Sequence, residues 1–321
     1  MRGSNSPSNT NMSSLYDDDD DERRASPAMT SPITFEGHIG SWNYYKDKKL
    51  YDVSRDAIEP FYSFGTTQGQ PDTTVLIGNR ITALVIVDMQ NYFLHPRCND
   101  YPEGREAAER TLEVIAKCRQ LNIQIIWLNW GLSYQDILTM PPAAHRSFAS
   151  QLINEEEDSK RPARTGQSRC GLGSDMGSGR GKLLRAGSWN AELYDPLLQA
   201  KNPIQDMFCN KNRISGLWSD STDLRLAIEG KFVTLLFAGV NTDQCVLGTL
   251  VDAYNRGYDC VMLEDCCATK TPGGKEATTW NVSRCYGFVT DSKSFCNGVE
   301  IETADEKASL LGGLRNSDAV Y

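Results

Sequence analysis

Short apolar runs alternate with amphipathic stretches along much of the chain. Residues 81–87 (ITALVIV) are mostly β-branched, which is typical of a strand buried on both faces of a parallel sheet. Residues 104–121 carry apolar side chains at roughly helical spacing, and residues 123–128 are apolar again. These residues therefore predict a strand–helix–strand unit whose connection is long enough for a parallel crossover.

The same alternation resumes near residue 207 and continues to residue 290. It predicts strands at 207–210, 232–238, 258–263 and 287–290, and helices at 221–229, 242–256 and 276–285. Together these elements predict an α/β fold, with a doubly wound, mainly parallel sheet of about six strands in a Rossmann-like three-layer α/β/α arrangement. Ligands of such sheets sit beyond the carboxyl ends of the strands.

Three segments depart from this pattern. Residues 1–32 are rich in Ser, Asn and Pro around an acidic run, which predicts a disordered acidic tail. Residues 33–53 alternate and are rich in aromatic side chains, which is typical of a hairpin. Residues 133–202 combine charges with many glycines and predict a long insertion that can fold over the site as a lid. We therefore expect one domain over residues 33–321 that contains this insertion.

Composition narrows the class of partner. Lys and Arg number 33 against 42 Asp and Glu, so the formal net charge is −9. This balance argues against nucleic-acid and anionic membrane partners. The chain has no apolar run of the ~18–20 residues that a membrane helix needs, and its first residues lack the apolar region of a signal peptide. We expect a cytoplasmic protein that acts on a small molecule. Its ten cysteines, without any C-x-x-C pair, indicate reduced thiols and no zinc ribbon.

Three side chains at predicted strand ends are candidates for catalytic roles. Asp88 directly follows the strand at 81–87, where partial burial would raise the pKa of its carboxyl group and suit it to proton transfer. Cys245 lies in the first turn of the helix at 242–256, where the helix dipole would favour the thiolate. Lys211 follows the strand at 207–210 and would favour both anions. Each also has a structural interpretation, as a turn-capping Asp, a buried Cys and a solvated Lys.

The stretches around these residues resemble the isochorismatase-like cysteine hydrolases. They are ITALVIVDMQNYF (81–93), KNRISGL (211–217), AGVNTDQCVLGTLVD (238–252) and GYDCVMLEDCCAT (257–269). The resemblance implies an amidohydrolase with an Asp88–Lys211–Cys245 triad. It also implies a cis peptide between Val240 and Asn241, which would aim the N–H groups of Asn241 and Cys245 at an oxyanion.

Two departures within the family narrow the reaction. Nicotinamidases of this family hold a metal through an Asp-x-His motif, but residues 127–132 (WLNWGL) contain no histidine, so we expect no metal and no cofactor. Members that cleave the vinyl ether of isochorismate can lack the cysteine, which this chain keeps. This favours hydrolysis of a C–N bond. The alternatives are an isochorismate-type vinyl ether hydrolase and a non-catalytic binding or regulatory protein on the same fold.

Four further side chains are candidates for binding the substrate. Asn129 can hydrogen-bond a carbonyl or amide group, and Trp130 can wall a small pocket beside it. A strand-end Asn and a packed Trp would explain these two residues equally well. Phe93 and Trp218 are aromatic candidates for the same wall, although core packing is the favoured interpretation of each. Because relatives with this fold are commonly oligomeric, we also expect a homo-oligomer.

Overall fold

The structure, a computed structural model, describes residues 31–149 and 171–312. The predicted acidic tail at 1–32 therefore lies almost wholly outside the described residues, and so do residues 150–170 of the predicted insertion. No helix in the described part of the chain is both long and apolar enough to cross a membrane.

The elements are numbered here in chain order. The strands are β1 (Ile33–Phe35), β2 (Trp42–Tyr45), β3 (Leu50–Asp52), β4 (Phe61–Gly65), β5 (Thr74–Gly78), β6 (Thr82–Val87), β7 (Gln124–Trp130), β8 (Met207–Lys211), β9 (Thr234–Val240), β10 (Asp259–Ala268), β11 (Phe288–Thr290) and β12 (Val299–Ile301). The α-helices are α1 (Asn91–Leu94), α2 (Pro102–Gln120), α3 (Tyr134–Thr139), α4 (Pro142–Ser147), α5 (Asp195–Ala200), α6 (Asp223–Ile228), α7 (Leu247–Asn255), α8 (Gly274–Asn281), α9 (Ser292–Cys296) and α10 (Ala304–Leu311). Two π-helical segments, Thr242–Val246 and Val282–Tyr286, precede α7 and follow α8.

The predicted α/β fold is confirmed. Six strands form one parallel sheet in the order β11-β10-β9-β6-β7-β8. Side chains of the central strand β6 alternate between its two faces, as a strand requires. Leu84 and Ile86 join the apolar cluster that contains α2, whereas Val85 and Val87 join the cluster that contains α6 and α7. The sheet therefore lies between two helical layers.

Several strand and helix ends differ from the predicted ones. Strand β10 runs to Ala268 rather than ending at 263, although Glu264 and Asp265 interrupt its apolar run. Asp265 remains in the strand because its carboxylate accepts hydrogen bonds from the backbone N–H and the hydroxyl of Ser292. The predicted helix at 242–256 begins as a π-helix, so its first turn is wider than an α-helical turn.

A second sheet, in the order β1-β2-β3-β5-β4-β12, was not predicted beyond its first hairpin strands. Its strands are only three to five residues long, and β12 pairs with β4 from the far end of the described chain. Tyr62, Phe64 and Ile77 of this sheet lie in the same apolar cluster as α2. A buried ion pair between Arg55 and Asp259 adds a polar link between this part of the chain and β10.

Close packing of β6 against β9 fixes the place where the two strands end. Gly239 lies opposite Val87 in the register, with a φ of 137° that side chains other than hydrogen rarely tolerate. A Cβ atom at residue 239 would lie 2.1 Å from the carbonyl oxygen of Val87. The next residue after Val87, Asp88, also has a left-handed backbone with a φ of 53°. The chain therefore turns sharply at Asp88.

We predict that Gly239→Ala lowers the free energy of unfolding by about 2 kcal/mol or more, because it adds both a backbone clash and an unfavourable φ. The matched control is Gly65→Ala in β4, where a Cβ atom meets nothing within 4 Å. Denaturant titration of both variants measures the difference. Equal stability of the two variants would contradict the proposed role of the close β6–β9 contact.

Candidate active site

Asp88, Lys211 and Cys245 meet at the carboxyl edge of the parallel sheet. The ammonium Nζ of Lys211 lies 2.9 Å from Asp88 Oδ2, and both side chains are fully buried. The same Nζ donates to Cys245 Sγ at 3.4 Å and to the carbonyl oxygen of Arg213 at 3.1 Å. The Asp88 carboxylate raises the pKa of the Cys245 thiol through the repulsion of two negative charges. The structure therefore brings the three sequence-predicted residues together around the Lys211 ammonium.

Each of the three side chains is held by a different strand end. Asp88 follows β6, Lys211 is the last residue of β8, and Cys245 lies in the π-helical turn after β9. Strand β7 separates β6 from β8 in the sheet, so Lys211 reaches Asp88 across the end of β7. The residue at that end, Trp130, lies opposite Lys211 in the register. Its backbone N–H donates to Asp88 Oδ1 at 3.1 Å, and its ring centroid lies 4.0 Å from Lys211 Nζ.

The turn that carries Cys245 has an unusual backbone. The peptide bond between Val240 and Asn241 is cis, and Asn241 precedes the first helical residue. The N–H of Val246 donates to the carbonyl oxygen of Asn241, which closes the π-helical turn. The N–H groups at the start of a helix have no intrahelical acceptor, and Cys245 lies within this region. Thr242 adds a buried hydroxyl group that has no hydrogen-bond partner among the described residues.

Burial dominates the electrostatics of the site. It raises the pKa of Asp88, and the neighbouring Lys211 ammonium offsets part of that effect. Burial, and then the Asp88 carboxylate, raise the pKa of Cys245 to about 12. Both effects on Cys245 oppose the stabilisation of a thiolate that we expected from the helix terminus. The thiol thus lies near a carboxylate whose own pKa is also raised.

Gln90 is a site residue that sequence analysis missed. Its fully buried amide donates to the carbonyl oxygens of Trp130 and Ala191, both at 2.7 Å, and its side-chain oxygen accepts from the N–H of Trp130. Gln90 therefore connects the ends of β6 and β7 to the C-terminal part of the predicted insertion. The available signal was a polar residue two positions after Asp88, directly beyond a buried strand.

The N-terminal part of the predicted insertion is also tied to the site. Asp136 of α3 accepts a hydrogen bond from the amide of Asn212, the residue after Lys211. The hydroxyl and N–H of Ser133 and the amide of Asn212 lower the pKa of Asp136, although its partial burial has the opposite effect. Helix α3 is thereby held next to the loop that follows β8.

The contacts of the remaining sequence-predicted residues, Trp218, Phe93 and Asn129, are with other groups. Trp218 is 48% exposed, and its indole N–H donates to Asn212. Phe93 is partly buried and packs edge-on against Tyr92. Asn129 leaves β7 on the opposite face from Trp130, and its side-chain oxygen is buried without a hydrogen-bond partner among the described residues. No group of three or more His, Cys, Asp or Glu side chains in residues 31–149 and 171–312 has a metal-holding arrangement.

A family model and several known proteins match most of this chain in sequence. The family model described as the isochorismatase domain matches residues 82–294. The ureidoacrylate amidohydrolase RutB of Acinetobacter baylyi is 28% identical over 226 residues, which are 67% of this chain and 82% of that protein. The corresponding enzyme of Klebsiella variicola is 26% identical over 69% of this chain and 88% of its own length.

Solved structures of other proteins share the fold of this chain. An isochorismatase family protein from Desulfovibrio vulgaris superposes with a TM-score of 0.50 at 21% identity, covering 67% of this chain and 95% of its own. A cysteine hydrolase from Pseudomonas syringae gives a TM-score of 0.51 at 17% identity, covering 68% and 92%. The matched region therefore spans more than nine-tenths of each of these two proteins.

We predict that Asp88→Asn lowers the pKa of the Cys245 thiol, because it removes the negative charge that disfavours the thiolate. At a fixed pH near neutrality, alkylation of Cys245 by iodoacetamide should become about tenfold faster or more. Peptide mass spectrometry measures the labelling of this one cysteine. Lys211→Met removes the positive charge and should change the rate in the opposite direction. Equal or slower alkylation in Asp88→Asn would contradict this electrostatic description.

Proposed function

The chain belongs to the isochorismatase domain family, which confirms the resemblance of its motifs, and from this premise we propose that it is a cysteine-dependent hydrolase of the C–N bond in a small amide, ureido or carbamoyl substrate. The observation that carries the proposal is the Lys211 ammonium, which contacts both the Asp88 carboxylate and the Cys245 sulfur. The curated relatives, which are named as ureidoacrylate amidohydrolases, support the choice of a C–N bond.

In the first step, the thiol proton of Cys245 passes to Asp88, and the sulfur attacks the carbonyl carbon of the substrate. A C–S bond forms while the carbonyl π bond opens, so negative charge develops on the carbonyl oxygen. We assign the N–H groups of Asn241 and Cys245, at the cis turn and the helix start, to that oxyanion. The tetrahedral intermediate then expels the nitrogen, which takes the proton from Asp88.

In the second step, water hydrolyses the resulting thioester-type intermediate. Asp88, again ionised, accepts a proton from the water molecule as its oxygen attacks the carbonyl carbon. The C–S bond breaks, and the sulfur recovers the proton from Asp88. Lys211 keeps its proton in both steps and balances the single negative charge that moves between Asp88 and Cys245. This assignment needs neither a metal nor an organic cofactor.

The proposal gives four residues to the substrate pocket. Trp130 lies directly beside the triad. Asn129 is assigned as a polar anchor because its buried oxygen has no partner among the described residues. Phe93 and Trp218 are assigned to more distant walls. The insertion, held by Gln90 on one side and Asp136 on the other, is assigned as the cover of the pocket.

The expected homo-oligomer and the cytoplasmic location stay predictions. The mass in solution, compared with 35.7 kDa for a single chain, tests the first of these.

We predict that Cys245→Ala lowers kcat by about a thousandfold or more on whichever amide or ureide the chain hydrolyses, because it removes the attacking atom. A panel of amides, ureido acids and carbamoyl amino acids, scored for ammonia release, identifies that substrate. The matched control is Cys285→Ala, which removes an exposed cysteine and should leave the rate unchanged. Full turnover by Cys245→Ala would contradict the covalent mechanism. Hydrolysis of isochorismate by the wild-type chain, without any reaction of the amides, would favour the vinyl ether alternative.

We also predict an acid limb in the pH profile of kcat/KM at a pH above the ordinary carboxyl pKa of ~3.9. Burial raises the pKa of Asp88, so the protonated, inactive form of this base persists to a higher pH than for an exposed Asp. Activity should therefore appear as the pH rises through the shifted pKa. An acid limb at or below the ordinary value would show that Asp88 is not the base in the free enzyme.

A further inference from the structure

Trp130 lies beside all three residues of the proposed triad. Its backbone N–H donates to Asp88, and its ring faces the ammonium of Lys211 at 4.0 Å. The same ammonium lies 3.4 Å from Cys245 Sγ, and the side chains of Trp130 and Cys245 are buried in one apolar cluster, where Trp130 lowers the pKa of the thiol. The first two contacts hold the carboxylate and the ammonium in place. The effect of Trp130 on Cys245 has no role in the mechanism described above.

The indole N–H of Trp130 is an unused donor. Its Nε1 atom is buried and forms no hydrogen bond of standard geometry with any described residue. The indole groups of Trp42, Trp127 and Trp218 in the same chain donate to Asp259, Asp206 and Asn212. A buried donor without an acceptor is unfavourable, so its persistence at Trp130 needs a reason.

The sulfur beside the indole is a poor acceptor as a thiol and a good one as a thiolate. A neutral sulfur accepts only weak hydrogen bonds, whereas hydrogen bonds to an ionised group are shorter and roughly twice as strong. The indole is therefore arranged for the charged form of Cys245, which in the proposed mechanism forms as the thiol proton moves to Asp88.

The other charged groups that face the sulfur cannot fully supply this stabilisation. Asp88 disfavours the thiolate while it is ionised, and Lys211 favours it. The Lys211 ammonium pairs with the charge of Asp88 Oδ2 and donates to the carbonyl oxygen of Arg213 and to Cys245 Sγ, and its contact with the sulfur is long at 3.4 Å. The indole N–H is a donor at this site that has no hydrogen-bond partner within the described residues.

We propose that the indole N–H of Trp130 donates a hydrogen bond to the Cys245 thiolate as it forms, which makes Trp130 a catalytic residue of the site. In this step the S–H bond breaks, an O–H bond forms on Asp88, and the negative charge moves from the carboxylate to the sulfur without changing the net charge. The role rests on the proposed covalent function, but the thiolate can be measured without any turnover.

The test compares the alkylation of Cys245 by iodoacetamide in variants that lack this N–H. Trp130→Phe keeps an aromatic ring beside Lys211, and replacement of the Trp130 indole by the isosteric benzothiophene keeps the whole bicyclic ring. Both should be alkylated about tenfold more slowly than the wild type at the same pH, because the thiolate loses a charge-assisted hydrogen bond. Trp280→Phe, which removes an exposed indole, is the matched control and should alkylate at the wild-type rate.

The outcomes separate this inference from the proposed function. Slow alkylation of both Trp130 variants, together with a lower kcat and an unchanged melting temperature, would support the hydrogen bond. Wild-type alkylation of the benzothiophene variant would overturn it, whatever the Phe variant does, because the ring alone would then suffice. If Cys245→Ala retains full turnover, the proposed function fails even when alkylation depends on Trp130.

Discussion

The buried ion pair between Lys211 and Asp88 is the interaction on which the rest of the site depends. Both side chains are fully buried with 2.9 Å between Nζ and Oδ2, so neither charge is solvated by water. Removing one partner of such a pair typically costs about 3–5 kcal/mol, since it leaves an uncompensated charge in the interior. The surrounding donors and acceptors, the N–H of Trp130 and the carbonyl oxygen of Arg213, complete the pair. The carboxyl edge of the sheet therefore encloses two opposite charges, and separating them would be energetically unfavourable.

The same pair affects the ionisation of Cys245. A thiol at a helix start would ordinarily ionise more easily, but here burial, and then the Asp88 carboxylate, raise the pKa of Cys245 to about 12. Burial raises the pKa of Asp88 as well, although the Lys211 ammonium offsets part of that effect. Lys211 contacts both groups and stabilises the charge in either position.

Backbone packing holds this arrangement in place. Gly239 allows β9 to approach Val87, so Asp88 and the turn that carries Cys245 begin side by side. Strand β7 brings Trp130 between the ends of β6 and β8. Gln90 then anchors the C-terminal part of the insertion to the same edge through the carbonyl oxygen of Ala191. The residues that position the triad thus belong to segments that are far apart in the sequence.

The sequence by itself determined the parallel sheet and the three triad positions. Buried parallel strands are continuous apolar runs, and their carboxyl ends mark the site, so Asp88, Lys211 and Cys245 could be found without coordinates. Only the tertiary structure decided three other features. The second sheet depends on the pairing of β12 with β4, and its short strands carry little periodic signal. The role of Gln90 depends on which carbonyl groups come within its reach. The protonation of Cys245 depends on burial and on its distance from Asp88, because the free energy of a charge is set by everything around it and not by its neighbours in the chain.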